Sequence, residues 1–191
     1  MSYNLTGAIT GGNITLSKAG ITGLSGAAVT FSTSAVGGAT GLTYLNAGII
    51  NYLANISTVA VPVNDASSNT AVAGTAASGA AFRPLVAQQA PAGYSPNLIY
   101  PGSAAVFVFG LDPSGNVRVA QGKVVSYTGN QSTPLPELPD WVTPFAYVVI
   151  SFASSTVASW TFGTSLWNAT GVIINTPVNV GILPPVDPIA P

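Results

Sequence analysis

Histidine and cysteine are absent from this chain, and charged side chains are scarce. The 191 residues include four lysines and arginines and five aspartates and glutamates, so charged residues make up 5% of the chain, against about 25% in an average soluble domain. Without imidazole or thiol, the chain lacks the commonest general base, the thiolate nucleophile and the nitrogen and sulfur ligands of zinc. The composition therefore excludes disulfides and argues against most enzymes that need a base or a metal.

The small number of cations limits the partners of the chain. Lys18, Arg83, Arg118 and Lys123 are its basic side chains, whereas proteins that bind DNA or RNA neutralise several phosphates at once. The sequence therefore predicts no nucleic-acid binding. The low charge does not indicate disorder, because 48% of the residues are hydrophobic and the mean hydropathy is +0.50, and disordered chains combine low hydrophobicity with high net charge.

Long hydrophobic runs are also missing. The most apolar stretch, residues 145–153, has about half of the ~20 residues that a membrane-spanning helix needs, and its β-branched and aromatic residues favour a strand. Residues 1–6 have neither the basic start nor the apolar segment of a secretory signal. We therefore expect a folded chain with no membrane span and no export signal.

Glycine divides the first 40 residues into short apolar stretches. Val29 and Phe31 alternate with small polar residues, and so do Ile14 and Leu16, and period-two alternation is typical of strands. Glycine costs about 1 kcal/mol at an interior helical position. Short strands between glycine turns are therefore expected, or an extended arm over part of the segment.

Two short apolar runs, residues 42–45 and 49–52, predict a β-hairpin. The three residues between them end in Gly48, and glycine suits the left-handed position of a three-residue turn. A helix is the alternative, because apolar residues from Leu42 to Ile56 also recur every three or four positions. The tyrosine, threonine and isoleucine content favours the hairpin.

The clearest strand covers residues 104–111. Its apolar run at residues 106–109 has no polar face, which is typical of a strand buried on both sides. Residues 112–115 supply turn chemistry, since proline presets φ and glycine accepts a positive φ. The chain is then expected to return as a partner strand over residues 116–125, whose two basic residues would discourage pairing with other molecules.

Proline shapes the rest of the chain. Residues 133–140 contain three prolines without amide donors, which predicts an extended crossover outside the sheet. A strand over residues 145–153 follows, and residues 172–174 and 178–180 are expected to be short final strands. Residues 184–191 are predicted to form a rigid, unpaired tail.

These patterns predict an all-β fold with one β-sandwich or barrel-like domain over residues 41–183. A Gly/Thr-rich segment, residues 1–40, precedes this domain, and the Pro-rich tail, residues 184–191, follows it. The small polar residues 64–81 are expected to form a loop or flap. The core is expected around the strand of residues 104–111 and its partner.

The order of these elements resembles structural proteins of tailed bacteriophages. Residues 106–122 contain an apolar strand, a Gly-Leu-Asp turn and a valine-rich return strand that ends in Gln-Gly. Leu-Pro-Glu-Leu-Pro at 135–139 and Phe-Ala-Tyr-Val-Val at 145–149 follow. Trp-Thr-Phe-Gly-Thr at 160–164 and a closing Leu-Pro at 183–184 complete the pattern.

The likeness covers roughly residues 104–184, with a weaker likeness at the hairpin of residues 42–52 and no match in residues 1–40 or 64–103. It implies a non-enzymatic virion component, chiefly a capsid decoration (cement) protein that binds the outer shell and stabilises it. The alternative is a glycan- or receptor-binding fibre or tail module of the virion.

The same resemblance implies the major capsid protein, or another virion protein, as partner. A homo-oligomer is expected, with a trimer favoured because decoration proteins often occupy threefold positions. The chain would be made in the host cytoplasm and reside in the virion. Residues 1–40 and 184–191 are the expected contacts with the shell or with neighbouring subunits.

Few residues are candidates for chemistry. Glu137 and Asp140, with Asp187 in the tail, suggest the paired carboxylates of a glycosidase, but acidic residues in a proline-rich crossover are better explained as solvating it. Asp112 is a weak calcium candidate, because calcium needs six to eight oxygens, and an aspartate at this position usually caps its turn. The sequence predicts no catalytic residue, metal or cofactor.

Aromatic residues offer the remaining binding candidates. A glycan platform could be built from Tyr94, Tyr100, Trp141, Trp160 and Trp167. Packing in the core or between subunits is the favoured interpretation, with Trp141 the best candidate for an exposed exception. N-glycosylation patterns begin at Asn4, Asn13, Asn55, Asn130 and Asn168. In a chain so rich in asparagine, serine and threonine, chance explains these patterns.

Overall fold

The described part of the chain consists of strands joined by turns and extended segments. The computed structural model describes residues 14–15, 20–25, 28–32, 41–46, 48–54, 59–62, 98–113, 115, 117–136, 138, 142–152, 159–161 and 165–191. Within these ranges, no helix has the length and apolar character that crossing a membrane requires.

Fourteen strands occur in these ranges. They are β1 (Ile14–Thr15), β2 (Gly20–Ser25), β3 (Ala28–Ser32), β4 (Gly41–Asn46), β5 (Ile49–Ala54), β6 (Val59–Pro62), β7 (Leu98–Ile99), β8 (Ser103–Leu111), β9 (Val117–Gln121), β10 (Val125–Ser126), β11 (Thr143–Phe152), β12 (Trp160–Thr161), β13 (Val172–Ile174) and β14 (Val178–Asn179).

The strands form antiparallel sheets, so the all-β prediction is confirmed for the described residues. The central sheet has β8 and β11 in its middle, β9 and β10 along one edge, and β13 and β14 along the other. The smaller sheets have the orders β1-β4-β5, β2-β3-β6 and β12-β7. Among the described pairings, the two edges of the central sheet do not meet, so the sheet is not closed.

The two faces of the central sheet carry different side chains, because neighbours along a strand point to opposite sides. We call one the aromatic face. It comprises the buried residues Phe107, Phe109, Leu111, Phe145, Ala146, Val148, Ile150 and Phe152, packed with Tyr44, Ile99, Trp160 and Trp167.

We call the other side the aliphatic face. It comprises the buried residues Ala104, Val106, Val108 and Val149, packed with Ala190 and with partly buried Leu135, Leu138 and Leu183. The side chains of residues 106–109 therefore point alternately to the two faces, and each residue is at most 2% exposed. This confirms the prediction of a strand buried on both sides.

Three one-residue irregularities interrupt the central sheet. Between β8 and β11, Gly110 faces Pro144 but Phe109 faces Ala146, so Phe145 is the extra residue of a bulge and turns to the same face as Ala146. Proline fits here because a bulge does not require a regular ladder donor.

The predicted continuous strand over residues 116–125 is wrong in its middle. Ala120 faces Val108, but Val125 faces Ala104. The return segment therefore takes five residues to cover the length that β8 covers with four. Gly122 stands at the break, where its N–H donates to the main-chain oxygen of Val106 at 2.7 Å. The return strand is thus divided into β9 and β10.

The opposite edge is divided in the same way. Ile174 faces Ile150, while Val178 faces Tyr147. The edge segment therefore takes four residues to cover the length that β11 covers with three, and Pro177 lies in this break. The two short final strands expected at residues 172–174 and 178–180 are present as β13 and β14, and β11 covers most of the strand predicted at residues 145–153.

Both predicted turns are present. In the hairpin of β4 and β5, Asn46 already pairs with Ile49, so the connection is one residue shorter than predicted, and Gly48 has a φ of 80°. After β8, the N–H of Gly115 donates to the main-chain oxygen of Asp112 at 2.9 Å. The helical alternative for residues 42–56 is wrong over the described strands β4 and β5.

The N-terminal segment contains short strands, as expected from its glycine spacing. β1 pairs with β4, and β3 pairs with β6, so both pairings cross the boundary placed at residue 40. The division at that boundary stays a prediction, and the loop expected at residues 64–81 lies outside the described residues.

The prediction of an unpaired tail at residues 184–191 is wrong. Ile189 forms a β-bridge with Ser132, the N–H of Thr133 donates to the oxygen of Pro188 at 2.9 Å, and the N–H of Ala190 donates to the oxygen of Gln131 at 2.7 Å. Proline lacks an amide donor but keeps its carbonyl acceptor. Non-proline neighbours supply the donors that hold this segment on the aliphatic face.

Candidate functional site

Of the three carboxylate candidates, Asp187 is the one that lies in the described residues. Oδ1 of Asp187 accepts the N–H of Leu135 at 3.0 Å, so this carboxylate fastens the tail to the crossover. Glu137 and Asp140 lie outside the described residues. Within the described ranges, no group of three or more acidic side chains has the arrangement that a metal ion requires.

Asp112 has a structural position at the start of its turn. It is buried, and its main-chain oxygen accepts the hydroxyl of Tyr44 at 2.8 Å. Burial raises the pKa of Tyr44 above its ordinary value of 10.0, the negative charge of Asp112 raises it further, and a backbone hydrogen bond with Gly115 acts in the opposite direction. This arrangement joins the hairpin to the end of β8, and the capping role of the Asp112 side chain stays a prediction.

Two of the five aromatic candidates lie in the core. The ring centroids of Trp160 and Trp167 are 5.0 Å apart, and Phe107 meets Trp160 edge-on at 5.6 Å. Nε1 of Trp160 donates to the oxygen of Leu166 at 3.0 Å. Core packing is therefore confirmed for both tryptophans.

Of the other three aromatic candidates, Tyr100 is the one that lies in the described residues. Tyr100 is half-buried, and its main-chain oxygen accepts the hydroxyl of Ser103 at 2.6 Å. Tyr94 and Trp141 lie outside the described residues. Of the glycosylation patterns, Asn130 and Asn168 are exposed, and the remaining three asparagines are outside the described residues.

Exposed apolar side chains are the functional candidates that the sequence-based argument missed. The first group lies on β5, where Ile49, Ile50 and Tyr52 are 65%, 69% and 65% exposed. We call these three residues the hairpin patch. Their exposure contrasts with the neighbouring strand β4, in which Tyr44, Leu45 and Asn46 are buried.

Contacts with the central sheet explain why β4 is buried and β5 is not. Nδ2 of Asn46 donates to Oγ1 of Thr143 at 3.2 Å, and that hydroxyl donates to the main-chain oxygen of Leu45 at 2.8 Å. Together with the Tyr44 hydroxyl, these bonds fix β4 against the ends of β8 and β11. The outer strand β5 is held through β4, and its Ile49, Ile50 and Tyr52 side chains are exposed to solvent.

The second group is the C-terminal patch. It comprises the exposed residues Leu166, Ile173, Val178, Ile182, Val186 and Ile189. Ile173 faces Ser151, and Val178 faces Tyr147, across the edge of the central sheet. The docked tail adds the exposed side chains of Val186 and Ile189, while the buried side chain of Ala190 anchors it.

Few charged side chains belong to the part of the surface that the structure describes. Among residues whose exposure the structure describes, Lys123 is the single exposed charged side chain; Asp187 is half-buried and Asp112 is buried. Isolated exposed apolar residues are ordinary, but apolar groups on a surface so poor in charge are typical of contact surfaces. Two features of the sequence could have indicated such a contact surface: the low charge of the chain and the apolar residues at consecutive positions 49 and 50.

Comparison with known proteins gives no further assignment. No protein-family model, no curated protein and no solved structure matches the chain.

Proposed function

We propose that this chain is a non-enzymatic structural component of a tailed-phage virion, a capsid decoration protein that binds the outer shell and stabilises it. The observation that carries the proposal is the described surface, on which large apolar side chains are exposed and charge is almost absent. The likeness of residues 106–122 and of the later motifs to phage structural proteins supplies the protein class. The finer architecture we propose is a β-sandwich-like domain.

A surface of this kind suits permanent contact with a protein shell. A net charge of −1 over the whole chain provides little repulsion between neighbouring copies, and low net charge promotes association. Burial of the exposed isoleucines and valines would contribute roughly 25 cal/mol for each Å² removed from water. Such binding depends on shape and apolar area, so salt should affect it weakly.

The docked tail changes which groups would meet the shell. Residues 184–191 were expected to act as a contact arm, but the main chain near Pro188 and Ala190 already bonds to Thr133 and Gln131. Contact through this segment would therefore use its exposed side chains, chiefly Val186 and Ile189, rather than main-chain pairing. The homo-oligomeric state remains part of the proposal.

Binding to shells tests the proposal directly. The purified chain is mixed with decoration-free shells of the phage that encodes it, and co-sedimentation is measured at low and high salt. We expect binding at both salt concentrations, because charge pairs contribute little. Absence of binding, or loss of binding above moderate salt, would contradict the proposal.

A matched pair of variants locates the contact. Val186→Asp places a charge on the 73% exposed side chain of the C-terminal patch, and Thr170→Asp places the same charge on an exposed polar position. We expect the first to weaken shell binding and the second to leave it unchanged. Glycan-array binding without shell binding would favour a receptor-binding module instead.

A further inference from the structure

A short stretch of the tail, residues 187–191, is held at a defined place on the aliphatic face. Each of its residues takes part in a hydrogen bond, through the side chain at 187, the N–H at 190 and the main-chain oxygens at 188, 189 and 191. We call the residues that hold this stretch the tail seat. They are Tyr127, Gln131, Ser132, Thr133, Leu135, Ser151 and Asn175.

The tail seat bonds chiefly to main-chain groups of the tail. The oxygen of Pro188 accepts the N–H of Thr133 at 2.9 Å and its hydroxyl at 2.7 Å. The oxygen of Pro191 accepts the hydroxyl of Ser151 at 3.2 Å and also the hydroxyl of Tyr127. Both prolines can make these contacts because proline keeps its carbonyl acceptor. The tail seat is therefore a binding site for an extended peptide segment.

The side chains of the tail add little to the core. Within residues 184–191, all of which the structure describes, Ala190 is the one buried residue, at 1% exposed, whereas Val186 and Ile189 are 73% and 50% exposed. Release of the tail would uncover one methyl group and would replace its hydrogen bonds with bonds to water, a nearly balanced exchange. Segments of this kind open locally while the core stays folded.

We propose that residues 187–191 are exchanged between copies of this chain, so that the tail of one copy docks on the tail seat of another. A second copy is the fitting occupant, because the tail seat already holds this segment and every copy carries an identical one. Exchange of an identical element is a low-cost route to oligomers. A reciprocal exchange joins two copies, and an exchange in one direction closes a ring, so both a dimer and the expected trimer can form.

The segment before the tail is suited to reach a neighbouring copy. Pro184 and Pro185 lie in it, and proline favours an extended main chain that holds its direction over several residues. Fully extended, the six residues 181–186 would span about 20 Å. A released tail would therefore stand away from its own tail seat, where the tail seat of an adjacent copy competes for it.

Single cysteines in different copies test the exchange, because the chain has no cysteine of its own. Ser132 and Ile189 are exposed and face each other in an antiparallel bridge. Residues paired in this way have Cα atoms about 4.5 Å apart, which a disulfide can span. A Ser132→Cys copy is mixed with an isotope-labelled Ile189→Cys copy at about 1 mM, the effective concentration of a short linker. We expect mild oxidation to give a disulfide-linked heterodimer, identified by mass spectrometry.

Two controls make this result decisive. Thr170→Cys, also at an exposed position, replaces Ser132→Cys and measures crosslinking by random encounter. A heterodimer yield no higher than in this control would overturn the exchange. A chain that carries both Ser132→Cys and Ile189→Cys should close its disulfide within one molecule at about 10 μM, where contacts within the chain prevail. Failure to close would overturn the geometry on which the proposal rests.

A charge in the tail tests whether the tail seat forms the contact. Ala190→Asp in the Ile189→Cys copy puts a carboxylate where the side chain is 1% exposed, and Val186→Asp puts it where the side chain is 73% exposed. We expect Ala190→Asp to lower the heterodimer to the level of the Thr170→Cys control, because a buried charge without a partner is unfavourable, and Val186→Asp to leave it unchanged. Circular dichroism should be the same for both. A heterodimer that survives Ala190→Asp, or that is lost equally in both variants, would refute the contact.

This inference does not rest on the proposed function, since it concerns the chain alone in solution. The two proposals also differ in their response to Val186→Asp, which should weaken shell binding but not the exchange of the tail. Loss of shell binding with an intact heterodimer, or the reverse, therefore shows which of the two has failed.

Discussion

The two faces of the central sheet are built from the same two strands but are covered in different ways. On the aromatic face, large rings such as Phe107, Trp160 and Trp167 fill a thick layer between the sheet and the segments above it. On the aliphatic face, alanine and valine leave room for a thin cover, and the proline-containing crossover and the tail lie directly on the strands.

The difference shows how proline-rich segments can close a core. They cannot extend a sheet, because proline has no amide donor, and they need small residues beneath them to come close. Gly122 is the clearest case, since a Cβ there would collide with the main-chain oxygen of Pro134 and would come within 2.6 Å of a methyl group of Val106. Ring packing stabilises one face, and close main-chain approach stabilises the other.

The largest effect is expected from removing a ring on the aromatic face. Trp160→Ala should lower the free energy of unfolding by about 3–5 kcal/mol, because it leaves a large cavity next to Phe107 and Trp167. Val106→Ala on the aliphatic face removes two methyl groups and should cost about 1.5–2 kcal/mol. Urea unfolding of both variants measures the contrast, and equal losses would show that the two faces contribute alike.

The second effect tests close approach on the aliphatic face. Gly122→Ala should destabilise the fold by about 1–3 kcal/mol, because the added methyl group overpacks the site beneath Pro134. Lys123→Ala, at the exposed neighbouring position, is the matched control and should be within about 0.5 kcal/mol of the unmodified chain. A neutral Gly122→Ala would mean that the crossover does not lie on the strand.

The third effect concerns the hydrogen bonds of the tail. Oγ1 of buried Thr133 donates to the oxygen of Pro188 at 2.7 Å, and Thr133→Val keeps the shape while removing this donor. We expect a loss of about 0.5–1.5 kcal/mol and faster hydrogen exchange at the N–H of Ala190. Thr170→Val, at an exposed threonine, should change neither quantity, and unchanged exchange at Ala190 in Thr133→Val would contradict the docking.

A similar effect at neutral pH is expected at Tyr44, a tyrosine that packs in the aromatic face. Tyr44→Phe removes the donor to the oxygen of Asp112 and should cost about 1 kcal/mol. Its effect on pH dependence is more specific. The pKa of Tyr44 is raised in the folded state above its ordinary value of 10.0. As the pH rises, the unfolded chain therefore loses the phenol proton of Tyr44 before the folded chain does.

The free energy of unfolding should therefore be insensitive to this group at neutral pH and should decline above about pH 10. Tyr44→Phe should reduce the steepness of that decline, because phenylalanine does not titrate. Urea unfolding of both proteins from neutral pH to about pH 11 measures the two slopes. Equal slopes would show that Tyr44 is not buried beside Asp112.

Local sequence patterns predicted the features that depend on residues close together in the chain, namely the strands and the turns. Period-two alternation and the uniformly apolar residues 106–109 predicted the central strands and their burial, and Gly48 and Gly115 marked turns that are present. The break at Gly122 could not be predicted, because it depends on Pro134 lying above it. The docking of the tail depends on pairs such as Thr133 and Pro188, which are 55 positions apart.

The hairpin patch escaped prediction for a related reason. β5 is the more apolar strand in sequence, because Asn51 is its single polar residue whereas β4 contains Thr43 and Asn46, so its composition would have favoured burial of β5. Bonds from Thr143, 97 and 98 positions away from Asn46 and Leu45, decide which of them meets the sheet. By contrast, the small number of charged side chains on the described surface agrees with the composition of the chain, and the virion role inferred from it stays a proposal.

The extra residue at Phe145 has a consequence for how the chain reaches its fold. A slide of β11 along β8 by one position would carry the rings of Phe145 and Phe152 away from their neighbours and turn valines toward the wrong side. The bulge therefore acts as a stop that makes misaligned pairings unfavourable. Irregularities of this kind occur in the central strand pair and at both edges of the sheet. We therefore expect the strands to pair in one register rather than in several.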